Sequence, residues 1–329
     1  MRNTNILKGL VKYSRVIILI VLFIFFSVTT DTFWSPTKWG NITNIVLQQV
    51  PFQMLLAICM TSAILLNGID LSIGSGVALI SCVCGLVLNM TYNPWLGIAA
   101  GLAAGALMGV FEGVLIAKVK VSAFVTTYSL QWVLKGFALV LLGGKQIYDF
   151  GPDFRPIFTS NKFTFFIIAI VILLIMMFLL GKTTYGKAVY AIGKNKEAAA
   201  ISGINTSRIL IISYTISGVI IGIASILYIA NLGSAEPVIG GDFAIKAIAA
   251  TLIGGTSFGG GKGKVSNALV GSMIMLILTN GMVQIGIPSV WQQFVIGVVI
   301  VLSIIMERGM EKISLRLTLR EEAARAAKA

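Results

Sequence analysis

Few side chains in this sequence could do chemistry, and most of them stand inside apolar runs. Asp70, Ser72, Glu112 and Lys135 are ionisable or hydroxylic groups in such runs, and Asn67, Gln131 and Asn280 are amides in the same setting. An acid or a lysine among apolar neighbours is costly unless satisfied, so each marks a cap, a structural pair or a polar path. Amides hydrogen-bond hydroxyls, or one another, without fixed charge. The absences are as informative. There is no histidine, the usual proton shuttle and metal ligand. The three cysteines, Cys59, Cys82 and Cys84, all fall in apolar runs, and two of them are only two positions apart. Small buried residues fit that pattern better than a disulfide or a metal site. The segment "GGTSFGGGKGK", Gly254 to Lys264, invites a phosphate-loop reading and fails it. The required first glycine is Thr256 or Phe258, and neither Lys262 nor Lys264 is followed by Ser or Thr. With no nucleophile–base set and no metal cluster, the chain reads as a non-enzyme that needs no cofactor.

The elements that must position these groups are helices in lipid. Of 329 residues, 57% are hydrophobic and 11% charged, where soluble domains carry about 25% charged residues. The apolar runs predict an all-α polytopic fold of ten spans: 14–33, 44–66, 70–90, 94–117, 121–143, 163–181, 208–232, 244–258, 265–286 and 290–306. The eighth is short and reads as tilted, re-entrant or a buried half-helix. Arg2, Lys8, Lys12 and Arg15 precede the first run, which ends in "TTDTFW" without a small-x-small cleavage pattern. It reads as a retained first helix. The net charge of +13 tests the topology. With the N-terminus inside, Lys38, Lys145, Arg155 and Lys162 lie outside, Lys135 and Lys246 lie within spans, and the other 19 of the 25 basic residues face the cytoplasm. Both termini are then cytoplasmic. Residues 1–313 form one membrane domain, and 314–329 a basic cytoplasmic tail that either touches anionic lipid or is simply solvated.

One segment breaks the pattern. "GKNKEAAAISGI", Gly193 to Ile204, lies in the long cytoplasmic stretch 182–207. Asn195 is a good N-cap, Glu197 suits the first turn, Ala198, Ala199 and Ala200 are helix formers, and Gly203 suits the left-handed terminal position. A helix this short is marginal in water. It either lies on the protein's own surface or plugs a partner's groove.

At these residues the chain resembles the permease subunits of bacterial ABC importers for ribose, galactose, xylose and related monosaccharides. "KNKEAAAISGI" looks like their EAA-type loop. "NGIDLSIGS" (Asn67 to Ser75), "GVLIAK" (Gly113 to Lys118), "AFVTT" (Ala123 to Thr127), "AIAATLIGGTSFGGGKG" (Ala247 to Gly263), "LTNGM" and "WQQFVIG" follow in the family's order over about 250 residues. The chain departs from the family pattern at Glu112, Lys246 and Ile296. The resemblance implies an inner-membrane permease that imports a monosaccharide or similar small polar solute. It also implies cytoplasmic ATPases docked on Asn195, Lys196, Glu197, Ala198, Ala199, Ala200 and Gly203. An extracytoplasmic solute-binding protein and a second permease copy, identical or related, would complete the assembly; nucleic acid is not an expected partner.

Within that frame Asn67, Asp70, Ser72, Glu112, Gln131, Lys135 and Asn280 are candidates for the translocation path. Each has a blander reading. Asp70 and Ser72 stand where a helix begins, and both could cap it. Glu112 and Lys135 are either structural or cavity-facing, and their depths argue against a direct pair. Asn44, Gln48, Gln49, Gln53, Trp132, Gln284, Trp291, Gln292 and Gln293, like Gln131 and Asn280, suit sugar hydroxyls and C–H faces, or helix-to-helix hydrogen bonds. Gly97, Gly101, Gly105, Gly109 and Gly113 recur every four residues and make a groove for close helix packing. The competing class is an ion-coupled secondary transporter or channel, with Asp70, Glu112 and Lys135 carrying ions. Such a protein would not need the short helix.

Overall fold

The computed structural model describes the backbone of residues 2–34 and 40–326; side chains are described for 15–30, 33–34, 40–288, 290–306 and 308–309. Fourteen α-helices follow one another: α1 Arg2–Thr29, α2 Gly40–Asn44, α3 Val50–Leu65, α4 Ile73–Thr91, α5 Pro94–Ala117, α6 Ala123–Leu142, α7 Phe154–Thr159, α8 Thr164–Lys182, α9 Thr184–Lys194, α10 Lys196–Ile201, α11 Thr206–Leu232, α12 Phe243–Gly254, α13 Asn267–Gln284 and α14 Ser289–Ala326. Among the described residues the extended pairing is one isolated bridge, Ile147 with Ala235. Among the described residues seven helices are long and apolar enough to cross a membrane: 40–65, α4, α5, α6, α8, α11 and α13. Three shorter apolar helices, Arg15–Thr29, Phe243–Gly254 and Val290–Met306, lie where the first, eighth and tenth spans are predicted.

Helix α3 is the axis of the bundle. Every residue of it except Phe52 is buried, and α8, α11, α12 and α13 pack around it. Its entry is irregular for a stated reason. Pro51 has no N–H to donate to the carbonyl four residues back. The turn before it widens into a π turn, Ile45–Gln49, closed by Val50 N–H donating to Ile45 O. The outer helices reverse the soluble pattern. Phe124, Trp132 and Phe137 of α6, and Ile167, Leu174 and Phe178 of α8, are exposed, which suits hydrocarbon as the surrounding solvent.

Local signals set the helix ends. Asn93 Oδ1 accepts from the N–H groups of Trp95 and Leu96 at 3.0 and 3.3 Å, with Pro94 in the first helical position. Ser122 and Asn205 cap α6 and α11 in the same way. Arg15 Nη2 donates to Gly255 O at 3.4 Å, just past the end of α12.

Helix α12 lies where the short eighth span is expected. Helix α12 has 12 residues, about 18 Å at 1.5 Å per residue, against about 30 Å of hydrocarbon. The chain between α11 and α12 packs against the start of α4. Gly240, at φ +91°, abuts the first turn of α4, so closely that a Cβ on Gly74 would lie 2.0 Å from Gly240 O. The stretch 182–207 also differs from the expected loop around one short helix. It is two helices, α9 and α10, meeting at Asn195.

Candidate functional site

At one end of the bundle the sequence builds a capped, exposed helix. Asn195 has extended backbone (φ −158°, ψ 106°), and its Oδ1 accepts from Ala198 N–H at 2.9 Å. Glu197 occupies the first turn. Gly203, at φ +84°, closes the other end, with Ile204 N–H donating to Ala199 O at 3.1 Å. Ala199 alone of the α10 residues is buried; Lys196, Glu197, Ala198, Ala200 and Ile201 are exposed, Ile201 at 88%. Helix α9 seats α10 on the end of α3. A Cβ on Gly193 would lie 1.7 Å from Leu65 O, so only glycine fits there. Gly261 N–H donates to the same carbonyl at 3.0 Å. Tyr190 donates to Gly263 O at 2.9 Å, and burial raises its phenol above the ordinary tyrosine pKa. The glycine-rich loop after α12 is therefore the seat for α9, with positive φ at Gly260, Gly261 and Gly263.

A second polar cluster lies deep inside. Asp70 Oδ1 accepts from the N–H and the O–H of Ser72 at 2.9 and 2.7 Å. Glu112 Oε2 lies 3.4 Å from the same hydroxyl, while Glu112 Oε1 has no hydrogen-bond partner. All three side chains are buried. Of the two residues that could cap α4, Asp70 accepts from the Ser72 N–H, while the Ser72 side chain makes no cap hydrogen bond to the backbone. Its hydroxyl turns to the two acids instead. Thr127 ties this joint to α6 by donating to Ile69 O at 3.0 Å.

The remaining path candidates stand apart. Asn67 ends α3 in the left-handed conformation, φ 60°. Lys135 sits on α6 with its Nζ 5.9 Å from the Trp132 ring, and Gln131 lies one turn before it. Asn280 is paired with Asn41: Asn41 Nδ2 donates to Asn280 Oδ1 at 2.9 Å, and Asn280 Nδ2 returns a bond at 3.3 Å. The glycine ladder meets another helix of this chain. A Cβ on Gly105 or Gly109 would lie 2.3 Å from a carbonyl oxygen of α11, that of Gly218 or Tyr214, and one on Gly113 would lie 2.8 Å from Ile211 Cα. Gly97 instead receives Leu88 of α4.

The opposite end holds two cavities, of about 740 and 180 Å³, that share Tyr228, Phe243 and Lys246 as walls. The amides Gln48, Gln49 and Gln53 line the smaller one and Gln293 the larger; their residue types singled them out in the sequence. Tyr228, Asn231, Asp242 and Phe243 were not singled out. The turn chemistry of "GGD" before a short apolar helix was the signal that could have found the last two.

The family described as branched-chain amino acid transport system / permease component matches residues 41–304. The chain is 34% identical over 312 residues to a ribose import permease protein of Escherichia coli (strain K12), covering 91% of this chain and 94% of the relative. It is 30% identical over 305 residues to a D-allose transport system permease protein of the same strain, covering 92% and 93%. To a fructose import permease protein of Rhizobium meliloti it is 29% identical over 285 residues, covering 82% and 79%. No solved structure matches.

Proposed function

This chain belongs to the family of branched-chain amino acid transport system permease components, and we propose that it is the membrane-spanning permease subunit of an ATP-binding-cassette importer for a monosaccharide or similar small polar solute. The observation that carries this reading is likeness, across nine-tenths of the chain, to permeases named for ribose and allose import. The exposed, capped α10 supports the ATP-driven form of the reading, because an isolated helix of six residues is marginal without a partner to dock on. In this account α1, α12 and α14 join the seven long helices as spans, both termini face the cytoplasm, and residues 314–329 form a cytoplasmic tail. Two cytoplasmic ATPases grip α10 of this chain and of a second permease copy. An extracytoplasmic binding protein delivers solute to the opposite end. The permease itself catalyses nothing; it alternates between two packings that the ATPases bias.

The test is uptake of radiolabelled D-ribose, D-allose and D-fructose into cells carrying the chain with its natural partners. ATP-dependent uptake that vanishes with the ATPase supports the reading. Uptake driven by a proton or sodium gradient without the ATPase would replace it with the ion-coupled alternative, in which Asp70, Glu112 and Lys135 carry ions.

A further inference from the structure

The two cavities at the end opposite α10 are built differently from the rest of the interior. Phe52, Tyr228 and Phe243 form a three-ring cluster, with centroids 5.0, 5.1 and 5.7 Å apart. Tyr228 and Phe243 wall both cavities, and Phe52 walls the smaller. Facing the rings, the π turn and the start of α3 present Gln48, Gln49 and Gln53. π turns inside helices are often associated with functional sites. Gln53 is 96% buried by its 4% exposure, and its Nε2 has no hydrogen-bond partner. A buried amide left unpaired is unfavourable, and nearly all such groups in folded proteins find a partner. The cavity that Gln53 lines is where a partner can stand.

Charge narrows what that partner is. Among the described lining residues the charged ones are Lys246 and Asp242, and they neutralise each other in an ion pair of 2.5 Å across one turn of α12. An anionic solute would have to take Lys246 from Asp242; a neutral one need not. Amides that donate and accept, with ring faces for C–H groups, suit a neutral ring bearing several hydroxyls. The smaller cavity, about 180 Å³, lies below the range of sites for drug-sized ligands, about 300–1,000 Å³, and so suits a single small ring, while the larger, about 740 Å³, lies within that range.

We infer that one copy of this chain carries its own solute site here: a neutral monosaccharide sits in the smaller cavity, hydrogen-bonded by Gln53 and its amide neighbours, with its C–H face on Phe52 and Tyr228. The larger cavity is its vestibule. The inference rests on the importer reading for its ligand class, not for its geometry.

The test labels the full-length chain in membranes. Gln49→Cys places a thiol in the smaller cavity, and the parent chain is the blank because its three cysteines are buried. Gln293→Cys, at the vestibule, serves as the second probe if the first fails to fold. D-ribose, D-allose or D-fructose at millimolar concentration should slow maleimide labelling at least threefold, and ribose 5-phosphate should not. Adding Gln53→Met, which keeps bulk and removes the amide, should raise the half-protecting concentration about 2- to 10-fold, the fold-change of one lost hydrogen bond, without lowering the melting temperature. Absence of protection by any sugar, equal protection by the phosphate, or an unmoved half-protecting concentration in Gln53→Met overturns the inference. Uptake measured in parallel separates the two readings. Uptake without protection sinks the site alone, and protection without ATP-dependent uptake sinks the importer reading alone.

Discussion

Gly105→Ala sets two opposed effects against each other, and the structure says which wins. In a helix interior alanine is favoured over glycine by about 0.8–1.0 kcal/mol. At Gly105, however, the new Cβ would lie 2.3 Å from Gly218 O and 3.2 Å from Gly222 Cα. An ordinary carbon–oxygen contact is about 3.3–3.6 Å, so α5 and α11 must part by about 1 Å. A gap of that size forfeits about a quarter to a half of each contact's attraction. Overpacking costs about 1–3 kcal/mol. The upper end applies, because the obstacle is backbone that cannot rotate aside. The net loss is about 2 kcal/mol. At about 2.1 cal/mol/K per residue, 329 residues give an unfolding entropy near 0.7 kcal/mol/K, and the melting temperature falls by about 3 °C. Gly136→Ala on α6 is the control. Nothing lies within 4 Å of its Cβ position, so the propensity gain stands alone and the protein melts about 1 °C higher. A thiol-reactive dye reads both melts in detergent, since Cys59, Cys82 and Cys84 are buried until unfolding exposes them. Should Gly105→Ala melt at or above the parent, as Gly136→Ala does, the seam is looser than described and the argument fails.

Asn195→Ala removes the α10 cap, worth about 1 kcal/mol. Ile201→Glu charges its most exposed apolar residue. Both should leave the melt of the isolated permease within about 1.5 °C of the parent by the same entropy scale while cutting co-purification with the ATPase; a large fall in the melt with assembly intact would reverse the assignment. Asp70→Ala orphans the N–H of Ser72 and leaves its O–H with Glu112 alone, and should cost about 1–3 kcal/mol, whereas Asp70→Asn, which keeps an acceptor oxygen, should cost less than half of that in the same melt. Asn41→Ala and Asn280→Ala break one reciprocal amide pair, so the double variant should lose about 0.5–1.5 kcal/mol less than the two singles together; strict additivity would count against the pair.

How much of this was legible depends on the range of the interaction. Span positions follow from runs of apolar residues, a local property, and 94–117 in sequence is Pro94–Ala117 in structure. The α10 cap was legible because Asn195, Glu197 and Gly203 act within a turn or two of themselves. The glycine ladder declared a close-packed face but not its partner, since the seam with α11 joins residues about 100 positions apart. Helix α9 was missed. Its "AVYAI" core, with Ala188, Val189 and Ile192 buried on one face, carried the period, but the polar residues around it read as loop. The pairing of Asn280 with Asn41, 239 positions away, left no local trace, and neither did the meeting of Ser72 with Glu112. Gln53 was recognisable as an amide in an apolar run. That it would be left without a partner is a fact of packing alone.

The geometry also gives a role to the helix at the centre of the bundle, buried at every residue but Phe52. Helix α3 connects the exposed α10 assembly to the cavity end: from Leu65 to Gln53 is 12 residues, about 18 Å. A close-packed helix moves as a rod, because its neighbours leave it no room to deform. At its Leu65 end the carbonyl is clasped from two sides, by Gly261 N–H and by the bare backbone of Gly193. Contact there is already at its limit, so a displacement of α9 toward α3 cannot be absorbed as compression at Gly193. Nor can the glycine loop slip aside freely, since Tyr190 and Leu65 hold it at Gly263 and Gly261. The contact passes from α9 to α3 at Leu65, and the far end of α3 bears Gln53, whose Nε2 has no hydrogen-bond partner. The surface helix and the cavity thus share one close-packed helix between them.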